Sequence, residues 1–490
     1  MMTAAVAAPS APAGKELFGH PVGLWYLCFC EGFERFSYYG MQALLAVYLS
    51  TYLLLPGHVE RVAGFDIFKS ALQGIYGDLP TPLKIAAAAT GLYSAGVYAT
   101  PILGGLIADR WLGRTTTVTI GASLMVLGHF LMAFDVSFVL AILCLFAGVG
   151  CFKGNIASQV GELYDANDLR RASAYQVFLL FVQIAVIVAP IATGFLAHAW
   201  KPAWHWGFGA AGVGMAIGLV VYLVGRKHLP PERPRGKAAA KAPKMHLTRR
   251  DWSVMALLVV MLPVLAATAI GNQEISNAYL LWGKDHYNLA VPNLPSWIPG
   301  AASISGQTMP VEWLVGLDAF ISTFTVGGAI AFWAWWSKRW KEPDEIWKVA
   351  IGALIAAGGP LLLTAAATQE AMTGQKASLA YGLGFHIIND IGFAMVFPVG
   401  LALYSRAAPK AVGGLMVSVY YLHLFMCNLA TGKVAGLLEN MSATAFWTMH
   451  AAIVGAGAVV LIVLALFFHR LLAPTNEDVA KNEASETAPA

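Results

Sequence analysis

Apolar runs long enough to cross a bilayer recur along this chain, and they constrain its fold more tightly than any other feature. They fall at about 25–53, 85–108, 116–133, 138–157, 174–197 and 206–224. After a polar break they resume at about 254–282, 311–335, 347–367, 379–404, 414–438 and 446–466. About twenty apolar residues make one helical crossing. A backbone in lipid must satisfy its own hydrogen bonds, so such runs become helices. Composition agrees: 12% of the 490 residues are charged, against about 25% in a soluble domain. The expectation is an all-α membrane protein of about 12 transmembrane helices, about six on each side of that break.

The break at 226–251 holds Arg226, Lys227, Arg233, Arg235, Lys237, Lys241, Lys244, Arg249 and Arg250 against Glu232 and Asp251. Pro230, Pro231, Pro234 and Pro243 deny it a regular helix. Taken as cytoplasmic, it puts Arg110, Arg114, Arg170, Arg171, Lys338, Arg339, Lys341, Arg406, Lys410 and Arg470 on the same side. The other side receives Arg61, Lys69, Lys84, Lys201, Lys284 and Lys376, an asymmetry that fits the positive-inside rule. The domain reading is a cytoplasmic tail (1–22), an N-terminal bundle (23–225), the basic linker (226–251), a C-terminal bundle (252–470) and a disordered cytoplasmic tail (471–490). The N-terminus lacks a signal-peptide pattern, so the first helix is expected to be retained. Of the two long outside loops, 52–83 has room for short helices, and 285–310 is rich in Pro, Ser and Gly. Five cysteines in apolar runs, without metal spacing, read as buried small hydrophobes.

Inside the first apolar run, CEGFERFSYYGMQALL (30–45) carries Glu31, Glu34, Arg35, Tyr38, Tyr39 and Gln42. Spacings of three, four and seven put Glu31, Glu34, Arg35 and Tyr38 on one helical stripe. One charge at the centre of a span costs about 2.5–3.5 kcal/mol, so these three need partners or a wet cavity. Lys153 is a second charge within an apolar run, paired there or snorkelling to an interface.

The segment 31–41, E-G-F-E-R-F-S-Y-Y-G-M, resembles the first-helix motif of the proton-dependent oligopeptide transporters, a branch of the major facilitator superfamily. GGLIADRWLGRTTT (104–117) resembles the superfamily loop between helices two and three, which implies a gating latch of Asp109, Arg110 and Arg114. CFKGNI (151–156) is similar to the family's Phe-Lys-Pro-Asn segment, with Gly154 for the proline. NQEISN (272–277) is similar to its helix seven, with Asn272 for the first acid. NDIGFAMVFPVGLALYSRAAP (389–409) resembles helix ten, with Phe393 where most members have a glutamate. Asp390, one turn earlier on the same face, is expected to take over that role, or to pair with His386. Gly414, Leu415, Met416, Tyr420, Tyr421 and Asn428 match helix eleven. Gly91 replaces the helix-two histidine of mammalian members, and Gln42 replaces a common arginine. No insertion between the halves leaves room for the extra helix pair of many bacterial members.

The resemblance implies a major facilitator fold, two six-helix bundles around a central cavity, and uptake of di- and tripeptides driven by protons through alternating access. It implies proton coupling by Glu31, Glu34, Arg35, Lys153 and Asp390. It implies peptide contacts from Arg35, Tyr38, Tyr39, Gln42, Tyr98, Lys153, Asn155, Gln183, Gln273, Asn277, Asp390, Tyr420 and Asn428. Glu274 is an extra acid, facing the cavity or water at a helix break. Glu312 and Asp318 fall near the outer end of the eighth span, where an extracellular gate charge is expected, with Glu312 reading rather as a solvated helix end. The protein is expected to be a monomer in the inner (plasma) membrane, not an enzyme, without cofactor, metal or nucleic acid. A facilitator of an amino acid, nitrate or drug stays open, as does a membrane sensor or enzyme.

Overall fold

Spanning-length apolar runs do become helices in the computed structural model, which describes residues 15–164, 168, 170–199, 204–230, 247–291, 306–409 and 412–472. The body of the basic linker (231–246), Lys201, Lys410, most of the Pro-rich loop (292–305) and the tails before 15 and after 472 lie outside the described residues. The first half contributes α1 (Val22–Tyr48), a short α2 (Phe65–Tyr76), α3 (Pro82–Ile107), α4 (Arg114–Leu131), α5 (Phe138–Glu162), α6 (Arg170–Ala199) and α7 (Trp204–Gly225). The second contributes α8 (Arg249–Gln273), α9 (Ala278–His286), α10 (Trp313–Ser337), α11 (Glu345–Ala356), α12 (Gly358–Thr373), α13 (Leu379–Ala407), α14 (Gly413–Tyr420), α15 (Leu422–Val434) and α16 (Ala443–Leu472).

Ten described helical runs are long and apolar enough to cross a membrane. Helix α1 belongs with them by length but carries Glu31, Glu34 and Arg35, and α4 carries Arg114, a run of threonines and His129. Counting those two gives six rods on each side of the linker, as the run pattern leads one to expect. The loop 52–83 holds α2 and a 3-10 turn at Val59–Arg61.

Three rods are interrupted within a single apolar run. The run over 254–282 breaks at a 3-10 turn, Glu274–Ser276, and at Asn277 (φ −129°, ψ −103°). The run over 347–367 breaks at Ala357, beside Gly358, Gly359 and Pro360. The run over 414–438 breaks at Tyr421.

The helices gather into two compact units. One comprises 1–75 and 99–241, the other 76–98 and 242–490. The N-terminal part of α3 therefore packs with the second unit, although it lies within the 23–225 segment. In the first unit α1 packs against α6 and α7, and α4 against α5 and α7. Glycines permit the close approaches: a Cβ on Gly121 would lie 2.7 Å from Gly148 O. In the second unit α11 and α12 pack against α13 and α16, and α8 against α15 and α16. Val254, Leu258, Val349, Tyr404, Tyr420 and Leu461 are among its buried core. All cysteines are free thiols; Cys151, expected to be buried, is half-exposed.

Candidate functional site

Helix α1 runs 27 residues, about 40 Å at 1.5 Å per residue. Its stripe brings two carboxylates to one guanidinium. Glu31 Oε1 receives both Nε and Nη2 of Arg35 at 2.7 Å. Glu34 Oε2 lies 3.2 Å from the same Nε. Glu31, Glu34 and Arg35 are 3%, 0% and 5% exposed, so the ions meet out of water. Two anions around one cation leave an excess negative charge, which a proton or a second cation must neutralise. Lys153 of α5 is the second cation: it interacts electrostatically with Glu34 and Glu31. Its Nζ stands 6.0 Å from the Tyr38 ring centroid. Lys153 thus sits against the α1 stripe rather than reaching an interface. Tyr38 and Tyr39 meet edge to face at 4.9 Å, and Gln42 is buried one further turn along.

Two residues beside this stripe carry no charge signal in the sequence. Ser37 Oγ hydrogen-bonds His129 Nε2, joining α1 to α4, and His129 is 1% exposed. A lone histidine in an apolar run marked the position, but its partner is 92 residues away.

The other first-unit positions divide. Asn155 donates to Gly104 O at 3.3 Å and Cys151 O at 2.8 Å, so it fixes α5 against α3 rather than presenting an amide to a peptide. Gln183 is half-buried on α6, whereas Gln176, on the same stripe, is exposed. At the loop, Arg114 bonds Glu162 at the end of α5 and lies 3.6 Å from Asp109. Gly113 between them has φ +79° and ψ +160°, a conformation essentially restricted to glycine. Arg110 is exposed.

In the second unit the polar residues form short networks. Asn428 Nδ2 donates to Gln273 Oε1 at 2.7 Å and to Leu424 O at 2.8 Å. Gln273 donates to Asn272 at 2.8 Å. Asn277 donates to Ala87 O at 3.2 Å. Tyr98 packs on a cluster with Leu424, Cys427 and Val454. A Cβ on Gly91 would lie 2.5 Å from the Gly432 backbone, so the position has no room for a histidine.

Four expectations change. Tyr420 is 0% exposed and donates to Phe397 O at 2.8 Å, so it is a core residue and not an open aromatic surface. His386 pairs with Asp318 rather than Asp390, at 2.8 Å. Glu274 does sit at a helix break, but away from water: it is 0% exposed, with His450 Nε2 at 3.5 Å and Ala278 N at 3.0 Å. Glu312, expected at a solvated end, is also 0% exposed. The burial of Glu274 was invisible in the sequence because His450, which meets it, lies 176 residues away on α16.

With this geometry in place, the chain can be set beside known proteins. The POT family model matches residues 115–271. A peptide transporter of Yersinia enterocolitica, YePEPT, is 26% identical over 93% of this chain and 96% of its own length. A di-/tripeptide transporter of Lactococcus lactis subsp. cremoris is 26% identical over 83% of this chain and 88% of its own. A crystal structure of peptide transporter POT in complex with sulfate superposes with a TM-score of 0.77 at 22% identity, covering 94% of this chain and 98% of that one. The resemblance read from the sequence is borne out, and the fold is that of the major facilitators.

Proposed function

We propose that this multi-pass membrane protein is a proton-coupled symporter that imports di- and tripeptides by alternating access. Two of its relatives are named as peptide transporters. The observation that carries the reading is the buried pairing of Glu31 and Glu34 with one Arg35, beside Lys153. Protonating one carboxyl removes a charge from the cluster and weakens its bridges. Arg35 or Lys153 is then released to take the carboxylate of a peptide. A group that binds protons differently in two conformations shifts their populations. Tyr38, Tyr39, Gln42 and Gln183 line the peptide's side of this unit. Asp390 enters as a proton-holding group, being buried in its own unit. Arg114, Asp109 and Glu162 form a latch that tightens and loosens between states. The protein acts as a monomer in the inner membrane with both termini cytoplasmic, its basic linker on that side.

Counterflow in proteoliposomes tests the substrate class without needing a gradient. Labelled dialanine should exchange, and unlabelled di- and tripeptides should compete at least ~10-fold better than free alanine or nitrate. Competition by single amino acids or nitrate alone would replace the peptide reading with another facilitator function.

A further inference from the structure

Away from the α1 stripe, a second group of buried titratable side chains meets in the C-terminal unit. Asp318 stands on α10, and His386 and Asp390 stand one turn apart on α13. His386 Nδ1 lies 2.8 Å from Asp318 Oδ1. The carboxyls of Asp318 and Asp390 stand close enough to interact with each other. Asn389 Nδ2 donates to Asp390 Oδ1 at 3.3 Å, while Asp390 Oδ2 meets no donor among the described residues. His386 and Asp390 are 0% and 1% exposed, whereas the Asp318 side chain is 17% exposed.

Donor chemistry decides what this cluster can hold. An ionised carboxylate only accepts hydrogen bonds, so two neighbouring carboxyls can bond to each other only when one of them carries a proton. Two adjacent anions in a buried site would otherwise repel without compensation. No lysine or arginine among the described residues pairs with either aspartate. The charged side chains of neighbouring helices are engaged elsewhere: Glu345 with Arg406, Lys348 with Glu342, Glu370 with His286 and His450 with Glu274. From α9, Tyr279 faces His386 edge to face at 5.1 Å. A phenol is neutral at physiological pH and supplies no counter-charge. With Nδ1 donating to Asp318, His386 Nε2 keeps an open lone pair and meets no partner among the described residues.

We propose that Asp318, Asp390 and His386 form a second proton-binding site, separate from the α1 cluster, which holds one proton between its two carboxyls. On release, the carboxyl O–H bond breaks and its electron pair stays on oxygen. The proton passes to His386 Nε2, forming an imidazolium beside two carboxylates, or leaves to water at the exposed edge of Asp318. Use of this proton in transport rests on the symporter reading; its being held does not.

Infrared difference spectra of the purified full-length protein, recorded between acid and neutral pH, test this directly. Wild type should show a protonated-carboxyl C=O band that outlasts the exposed carboxylates as pH rises. Asp390→Asn and Asp318→Asn should each abolish that same band. His386→Gln, which leaves both carboxyls, should shift the pH at which it disappears, and is decisive if either asparagine variant fails to fold. A band that survives in either folded aspartate variant, or that titrates unmoved in His386→Gln, overturns the proposal. Failure of wild-type protein to exchange dipeptides would instead overturn the transport reading and leave the infrared result standing.

Discussion

At Arg35 one guanidinium serves two buried carboxylates, and the consequences of removing each partner differ. Arg35→Ala strands both acids, and removing one partner of a buried pair costs about 3–5 kcal/mol. It should lower the melting temperature in detergent by several degrees and abolish uptake; an unchanged melting curve would show that the acids do not depend on it. Glu34→Gln is milder, because it keeps shape and removes an excess charge. It should leave the protein folded and exchange-competent while ending proton-driven accumulation, and accumulation at the wild-type level would remove Glu34 from the coupling role. Gln42 offers hydrogen bonds where an arginine would offer a charged fork. Gln42→Arg should therefore widen the difference in inhibition between dialanine and dialanine amide. Equal ratios in both proteins would show that position 42 does not meet the peptide's carboxyl end. The charges of α1 were legible because three charges within two turns of one apolar span must have partners or a wet cavity. Tyr420 was misread because a tyrosine suits a core and a cavity equally, and only its contacts decide.

Helices were the most legible level, since run length and apolarity fix their existence. Their breaks were not. The break at Glu274 was legible only as one of two alternatives, and its cover comes from α16. The break at 357 lies beside Gly358, Gly359 and Pro360, and that at 421 falls on the second of two adjacent tyrosines in one apolar run. The turn between α3 and α4 is a clearer case, because Gly113 occupies a backbone region that other residues enter at a cost of about 1–3 kcal/mol. Gly113→Ala should displace Arg114 from Glu162 and Asp109, and slow exchange several-fold with little change in the peptide concentration for half-maximal rate. Wild-type exchange in this variant would mean that the latch tolerates a different turn.

For the whole molecule, the positions of twelve apolar runs and one basic break carried the fold, and local motifs carried the family. Asp318 and His386 each stood out as a polar residue in an apolar run, but their pairing was beyond reach, because they are 68 residues apart and on different helices. The buried charge clusters give the molecule a reason to bind protons, and transport gives the protons work to do. Uptake of labelled dialanine into proteoliposomes joins the two most directly. With an inward proton gradient, wild-type protein should concentrate the dipeptide above its external level, and a protonophore should return it to equilibrium. Equal uptake with and without the gradient would show that peptide movement in this protein is not coupled to protons.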